Sequence, residues 1–329
     1  MALKIGLIGA GGMGSFHART LAAMGDVELV AIADPFGDAA ARLAAEVGGT
    51  ASLDWRDVIT AGIDGLVIAS PAEAHEDQAL AALAAEIPTL CEKPLGVTAA
   101  QCHRIVNAEV AGGRRLIQLG LMRVYDPAHV QVAAAMAELG PVHHLRCVHR
   151  NVHAVRRSVY DAFTDSMVHD AHSVRGLTGR EVARVTAFAA GAPDSIAHGL
   201  IVAEYDGGGH ATIEFSERSY AYEVSVEVEA ELGGVVMALP MRPVLRQDGG
   251  RTIDIGNDWF GRFAEAYVIE ADAWVASLRV GVVTGPSAWD GLMAQMIVEA
   301  GLESIAVGGP VTLDRPPTPS LYIRGSSHI

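Results

Sequence analysis

The sequence predicts a two-domain α/β protein whose first domain is a doubly wound parallel sheet. Three observations predict it. Short apolar strands alternate with helical patterns over the first 120 residues, the pattern of parallel strands joined by crossover helices. A Gly9-x-Gly11-x-x-Gly14 turn joins the first strand to the first helix. From 143 to 239 the chain turns β-rich and partly alternating, and two amphipathic helical stretches follow.

The first strand is Lys4–Ile8, ending at the glycine turn. In such a turn Gly9 permits the tight bend, Gly11 lets backbone approach a pyrophosphate, and Gly14 allows close helix–strand packing. The anion then sits on a helix N-terminus, where free N–H groups and the helix dipole favour it. A second strand, "VELVAIAD", ends in Asp34, twenty residues beyond Gly14. A carboxylate there accepts from ribose hydroxyls and repels a 2′-phosphate, which favours NAD over NADP. "DGLVIASP" (64–71) is a buried strand, a helix spans roughly 74–85, and "IPTLCEKPL" is a further short strand. Ser70 and Glu92-Lys93-Pro94 fall at strand carboxyl ends, where ligands bind in such sheets.

In the second half, "HHLRCVHRNV" (143–152), "VARVTAFAAG" (182–191) and "YEVSVEVEAELGGVVMAL" (222–239) read as strands. "FAEAYVIEADAWVASLRVG" and "AWDGLMAQMIVEAGLESIAV" read as helices. The expected division is 1–120 and 121–329. The proline-bearing tail from about 315 is neither regular helix nor central strand, and an extended arm against a neighbouring subunit is one reading of it.

Composition excludes several classes of function. A net charge of −15 argues against nucleic-acid and anionic-membrane partners, which need a basic surface. No run approaches the roughly 20 apolar residues of a membrane span. The first ten residues lack the apolar segment of a signal peptide and run straight into the glycine turn. Cys91, Cys102 and Cys147 are odd in number without C-x-x-C spacing, so a reducing cytoplasm is the natural setting. Lysine occurs only at Lys4 and Lys93, with arginine supplying the other cations. Lys93 is therefore the candidate for chemistry arginine cannot perform.

Residues 164–174, "TDSMVHDAHSV", pose a choice. On a helix Asp165, His169 and His172 share one face while Asp170 points away. That face suits a zinc site, a solvated surface or a proton relay, and spacing alone does not choose.

"GLIGAGGMGSFHA", Asp34, "VIASPAEAH" and above all "CEKPL" together resemble the Gfo/Idh/MocA family of nicotinamide-dependent oxidoreductases. "GLMRVYDP", "VHRN", "TDSMVHD" and "GPSAWDGLMAQMIVEA" resemble its inositol 2-dehydrogenase branch. The resemblance implies an N-terminal Rossmann domain and a C-terminal α/β domain with an open, mainly antiparallel sheet that often forms the oligomer interface. It further implies a homotetramer or dimer with NAD as cofactor and no catalytic metal. It places Gly9, Gly11, Gly12, Met13, Gly14, Asp34, Ser70, Pro71, His75, Glu92 and Lys93 at the cofactor. Its catalytic set is Lys93, Asp165 and His169. Arg123, His149, Asn151, His172 and Tyr222 join that set around a cyclic polyol or sugar. His143, His144 and His153 match nothing in the pattern and read as surface residues.

Removing hydride from a secondary alcohol requires its hydroxyl proton to leave too. An imidazole accepts that proton near neutral pH, a carboxylate one turn away orients the ring, and an ammonium steadies the alkoxide. The inositol branch carries an aspartate where this chain has His172, so a pyranose or anhydrosugar stands beside inositol as substrate. An NADP-linked reductase and a nucleotide-binding regulator without turnover are the other readings.

Overall fold

The computed structural model describes residues 2–152, 156–237, 244–247, 250–253, 256 and 258–323. His153, residues 238–239 of the last predicted strand stretch, and 324–329 of the tail lie outside them.

The chain forms two compact units. The first opens with β1 (Leu3–Ile8), α1 (Gly12–Ala22), β2 (Val27–Ala33), α2 (Gly37–Val47), β3 (Thr50–Ser52) and α3 (Trp55–Ile59). It continues with β4 (Gly65–Ile68), α4 (His75–Ala84), β5 (Thr89–Glu92), α5 (Ala99–Gly112) and β6 (Ile117–Gly120). All six strands are parallel in the order β3-β2-β1-β4-β5-β6, the doubly wound sheet that the sequence predicts. Every residue of β4, β5 and β6 is buried, as expected of strands covered on both faces. Helix α5 shows why its ends fall where they do. Thr98 and Gln101 close a reciprocal capping box, and Gly113 ends the helix in the left-handed region.

The second unit holds α6 (Pro127–Met136), β7 (Val142–Val152), α7 (Val159–Asp161) and α8 (Val168–Thr178). Next come β8 (Val182–Ala192), β9 (Ser195–Tyr205), β10 (His210–Ser216), β11 (Arg218–Ala230) and β12 (Gly233–Val236). A hairpin, β13 (Val244–Gln247) with β14 (Gly250–Ile253), precedes α9 (Trp259–Val280), α10 (Ala288–Val307), β15 (Val311–Thr312) and α11 (Ser320–Ile323). Its seven-stranded sheet runs β12-β11-β7-β10-β9-β8-β15, antiparallel except for the β7–β10 pair.

Contacts divide the chain less simply than a single boundary near 120. Tyr125–Glu265 and Ala294–Arg315 make the second unit, while Ala266–Met293 and the tail from Pro316 belong to the first. The reason is apolar burial. Ala271, Trp274 and Val275 pack into the cluster of Leu7, Ile32, Val67 and Leu90, on one face of the parallel sheet. The tail likewise packs on its own chain. Tyr322 is buried, stacks on Trp289, and donates its hydroxyl hydrogen to Glu109 at 2.6 Å.

Candidate active site

In the first unit the cofactor residues of the sequence reading gather at the carboxyl edge of the sheet. Gly9 has φ +95°, and a Cβ there would lie 2.5 Å from the Ala69 carbonyl oxygen. A Cβ on Gly14 would stand 1.8 Å from the Gly9 carbonyl, so only glycine fits. At Gly11 and Gly12 an added Cβ meets nothing within 4 Å. Gly11 is the N-cap of α1, and the first turn carries neither a capping side chain nor an acidic residue. An uncapped N-terminus with open space before it suits a pyrophosphate. Met13 follows inside that turn.

Asp34 stands at the end of β2, nearly buried. Its Oδ2 accepts the Ala10 N–H at 2.8 Å, and its Oδ1 accepts the Phe36 N–H at 2.8 Å. Each oxygen keeps a second lone pair for a ribose hydroxyl. The glycine loop and Asp34 are thus fixed to one another.

Three expected cofactor neighbours also make contacts within the chain. Both ring nitrogens of His75 face backbone carbonyls, Pro94 O at 2.7 Å and Ser70 O at 2.8 Å, so the ring ties two strand-end loops together. Ser70 Oγ donates to Gln78 at 2.6 Å, and Pro71 leads into a 3₁₀ turn, Ala72–Ala74. Glu92 turns inward, where His17 Nε2 lies 2.7 Å from its Oε1. Lys93, next along, is half-buried and joined to Pro94 by a cis peptide. Arg123 is buried in the 3₁₀ turn Met122–Tyr125 after β6.

In the second unit the polar candidates meet on one face of the sheet. Leu145, Cys147, His149 and Asn151 alternate along β7 and are all buried. The first two belong to the apolar core, and the last two carry the same face into polar territory. Tyr222 extends that face on β11, two residues from Val224, the partner of His149. The Tyr222 and His149 rings meet edge to face at 5.8 Å. Helix α8 meets β7 through Asp170 and also carries His169 and His172, which are 6% and 5% exposed.

One helix residue departs from expectation. Asp165 lies in a π-helical turn, Ala162–Met167, so the four-residue step that stacks side chains on an α-helix does not hold across it. Its carboxylate is more than half exposed and accepts from Arg157 at 2.6 Å. Asp170, expected off the face of His169 and His172, is fully buried, and His149 Nδ1 is 3.1 Å from its Oδ2. Among the described residues no group of three or more His, Cys, Asp or Glu side chains is arranged to hold a metal.

Sequence reasoning missed a buried ion pair beside this patch. Asp126 caps α6, contacts His129 Nδ1 at 2.6 Å, and binds Arg262 through both carboxylate oxygens at 2.6 and 3.0 Å. Burial acts to raise its carboxyl, but the His129 and Arg262 hydrogen bonds win and hold it well below the usual range. The "YDP" before a helical pattern signalled the cap but not the distant arginine.

Known proteins match along nearly the whole chain. A family described as "Oxidoreductase family, NAD-binding Rossmann fold" matches residues 3–120. The GFO/IDH/MocA C-terminal domain matches 129–236, and the oxidoreductase-family C-terminal alpha/beta domain matches 240–313. Inositol 2-dehydrogenase 1 of Saccharopolyspora erythraea is 38% identical, over 98% of this chain and 99% of the relative. A myo-inositol dehydrogenase from Lactobacillus casei, solved with NAD(H) and myo-inositol, superposes with a TM-score of 0.93 at 25% identity. That match covers 98% of this chain and 100% of the other. A myo-inositol dehydrogenase from Corynebacterium glutamicum gives 0.87 at 28% identity, over 96% and 100%.

Proposed function

Because this chain belongs to the GFO/IDH/MocA family of NAD-binding oxidoreductases, we propose that it oxidises one secondary hydroxyl of a cyclic polyol to a ketone. The observation that carries the substrate class is the polar patch of His149, Asn151 and Tyr222, together with the buried His169 and His172 of α8. It stands on an otherwise apolar face. Side chains that both donate and accept hydrogen bonds match a ring of hydroxyls. The relatives called inositol 2-dehydrogenase support the same reading.

NAD, when bound, accepts the hydride leaving the substrate carbon. Asp34 and the Gly9–Gly14 turn are suited to hold its ribose and pyrophosphate. His169 takes the hydroxyl proton onto an imidazole nitrogen, acting as the general base. Lys93 places an ammonium beside the developing alkoxide, where exclusion of water strengthens it. Asp165 adds a negative charge on the turn before His169, and Arg123 serves as a further hydroxyl contact. His172, in place of a carboxylate, makes a pyranose the second reading, since a ring that donates or accepts reads hydroxyls differently. The charged outer face of the seven-stranded sheet, with Arg146–Glu214 and Arg184–Glu204 pairs, is assigned to contacts between copies in a dimer or tetramer. Three buried free thiols support a cytoplasmic setting, and among the described residues no helix is long and apolar enough to cross a membrane.

The test is turnover. Inositols and a pyranose panel are offered with NAD⁺ and NADP⁺, and reduced cofactor is followed by absorbance. NAD⁺-dependent oxidation of at least one cyclic polyol is expected, abolished by Lys93→Ala and His169→Ala with NAD⁺ binding kept. Absence of turnover on every polyol and sugar, or an active Lys93→Ala, overturns the proposal. Light scattering of the purified protein reads the number of copies, and a monomer removes the assembly.

A further inference from the structure

Behind Lys93 the first unit buries a set of ionisable groups that the reaction above does not use. Glu92 pairs with Gly120 across β5 and β6, as Leu90 pairs with Gln118, so Glu92 and Gln118 face the side of the sheet covered by α1 and α9. From α1 comes His17, fully buried, its Nε2 2.7 Å from Glu92 Oε1. The other carboxylate oxygen of Glu92 accepts the Lys93 N–H at 3.3 Å. A Cβ on Gly120 would lie 3.1 Å from that same oxygen, so the sheet closes tightly over it. From α9 come Tyr267, whose ring meets the His17 ring edge to face at 6.1 Å, and Glu270 one turn later. Glu270 is fully buried, and among the described residues neither of its oxygens has a hydrogen-bond partner.

We propose that His17, Glu92 and Glu270 form a buried positioning cluster for Lys93, with the negative charge on Glu92 and a neutral carboxylic acid at Glu270. The assignment of charge follows from partners. Glu92 receives a backbone N–H and an imidazole, whereas an ionised Glu270 would be an unpaired buried anion. Burial, and secondly the nearby Glu92 charge, push the Glu270 carboxyl well above its ordinary range. The titratable groups sharing this layer are His17 from α1, Glu92 from β5 and Tyr267 from the same helix as Glu270. Glu92 is held at two oxygens immediately before Lys93, so the cluster fixes the strand end from which that ammonium projects. These are positioning residues, and their effect on turnover rests on the dehydrogenase reading.

Two measurements need no turnover. Infrared spectra of the whole protein at neutral pH read protonated carboxyls. A C=O band is expected that Glu270→Gln removes and Glu92→Gln keeps. With only Lys4 and Lys93 in the chain, isotopically labelled lysine gives two side-chain NMR signals, assigned by Lys4→Arg. His17→Gln and Glu92→Gln should each move the Lys93 signal. In turnover both should lower kcat by about tenfold to a hundredfold, with NAD⁺ affinity within about threefold. Glu270→Ala should share the defect, and Glu270→Gln, which keeps the shape of the acid, should restore it. The proposal is overturned if the infrared band is missing or survives Glu270→Gln, if the Lys93 signal ignores both neighbours, or if Glu270→Gln is as impaired as Glu270→Ala. Loss of turnover on polyols with band and signal behaving as expected would fault only the assigned reaction.

Discussion

His149 Nδ1 lies 3.1 Å from the fully buried Asp170 carboxylate, linking the inward face of β7 to the helix above it. A carboxylate only accepts, so Nδ1 carries the proton and Nε2 presents its lone pair. An asparagine at 170 keeps the shape but can donate, which permits the opposite tautomer. Asp170→Asn should lower kcat/KM for the polyol by about tenfold to a hundredfold, with NAD⁺ affinity unchanged. Steady-state kinetics beside cofactor titration separate the two, and a loss confined to NAD⁺ binding would contradict the assignment.

Asp34 joins the cofactor loop to β2 through the Ala10 and Phe36 N–H groups. Asp34→Ala removes the ribose acceptor and the charge that repels a 2′-phosphate. NAD⁺ affinity should fall by about 2 kcal/mol, roughly thirtyfold, while NADP⁺ binding improves. Fluorescence titration with both cofactors checks it. An unchanged preference would mean that discrimination resides elsewhere.

What could be read from the sequence was local. The glycine turn, Asp34 and the strand–helix alternation lie within short stretches, and each sets its own backbone conformation. The stretch 164–174 is only half legible, because α-helical spacing does not hold across a π-turn that nothing in "AFTDSM" announces. Asp170 lies off the face of His169 and His172, and only the packing of α8 on β7 reveals His149 beside it. The return of Trp274 to the first core and the meeting of His17 with Glu92 join residues far apart in the chain. Periodicity carries no information about such meetings. His75 shows a subtler limit, since both its ring nitrogens face carbonyls of the chain itself, which no local pattern announces.

Asp126 gives the fold an acid sensitivity whose sign follows from its depressed carboxyl. A folded value below the unfolded one of about 3.9 contributes stability that is present above that value. That contribution disappears as pH falls through the folded value, because both states are then protonated. Chemical denaturation should show wild type losing stability steadily below about pH 4. Asp126→Asn should be weaker at neutral pH and flatter across the acid limb. Parallel acid limbs would place the sensitivity in other carboxylates.

The tail makes a separable contribution to the first unit. Tyr322 donates to Glu109 Oε2 at 2.6 Å, and Glu109 Oε1 accepts the Leu116 and Ile117 N–H groups. Burial raises the Glu109 carboxyl, against the pull of these hydrogen bonds. Tyr322→Phe leaves one buried oxygen without its donor, which should cost about 1–3 kcal/mol in urea denaturation. Turnover should stay within about twofold, since neither residue is assigned to the reaction. A neutral effect on stability would mean that the hydroxyl is replaceable by water.

His172 offers the sharpest test of substrate choice. It is buried on α8, three residues past His169. A carboxylate accepts hydrogen bonds at both oxygens, whereas a neutral imidazole donates at one nitrogen and accepts at the other. A polyol epimer whose hydroxyl must donate here would favour aspartate. One whose oxygen must accept favours the imidazole. Sites built on a single hydrogen-bond pattern reject the mismatch strongly. His172→Asp should therefore reorder the ratio of kcat/KM between two stereoisomers, by about tenfold or more, rather than lower all substrates alike. Kinetics on an inositol and pyranose panel with both proteins decide it. A uniform loss across the panel would reduce His172 to a packing residue and leave stereochemical choice to His149, Asn151 and Tyr222.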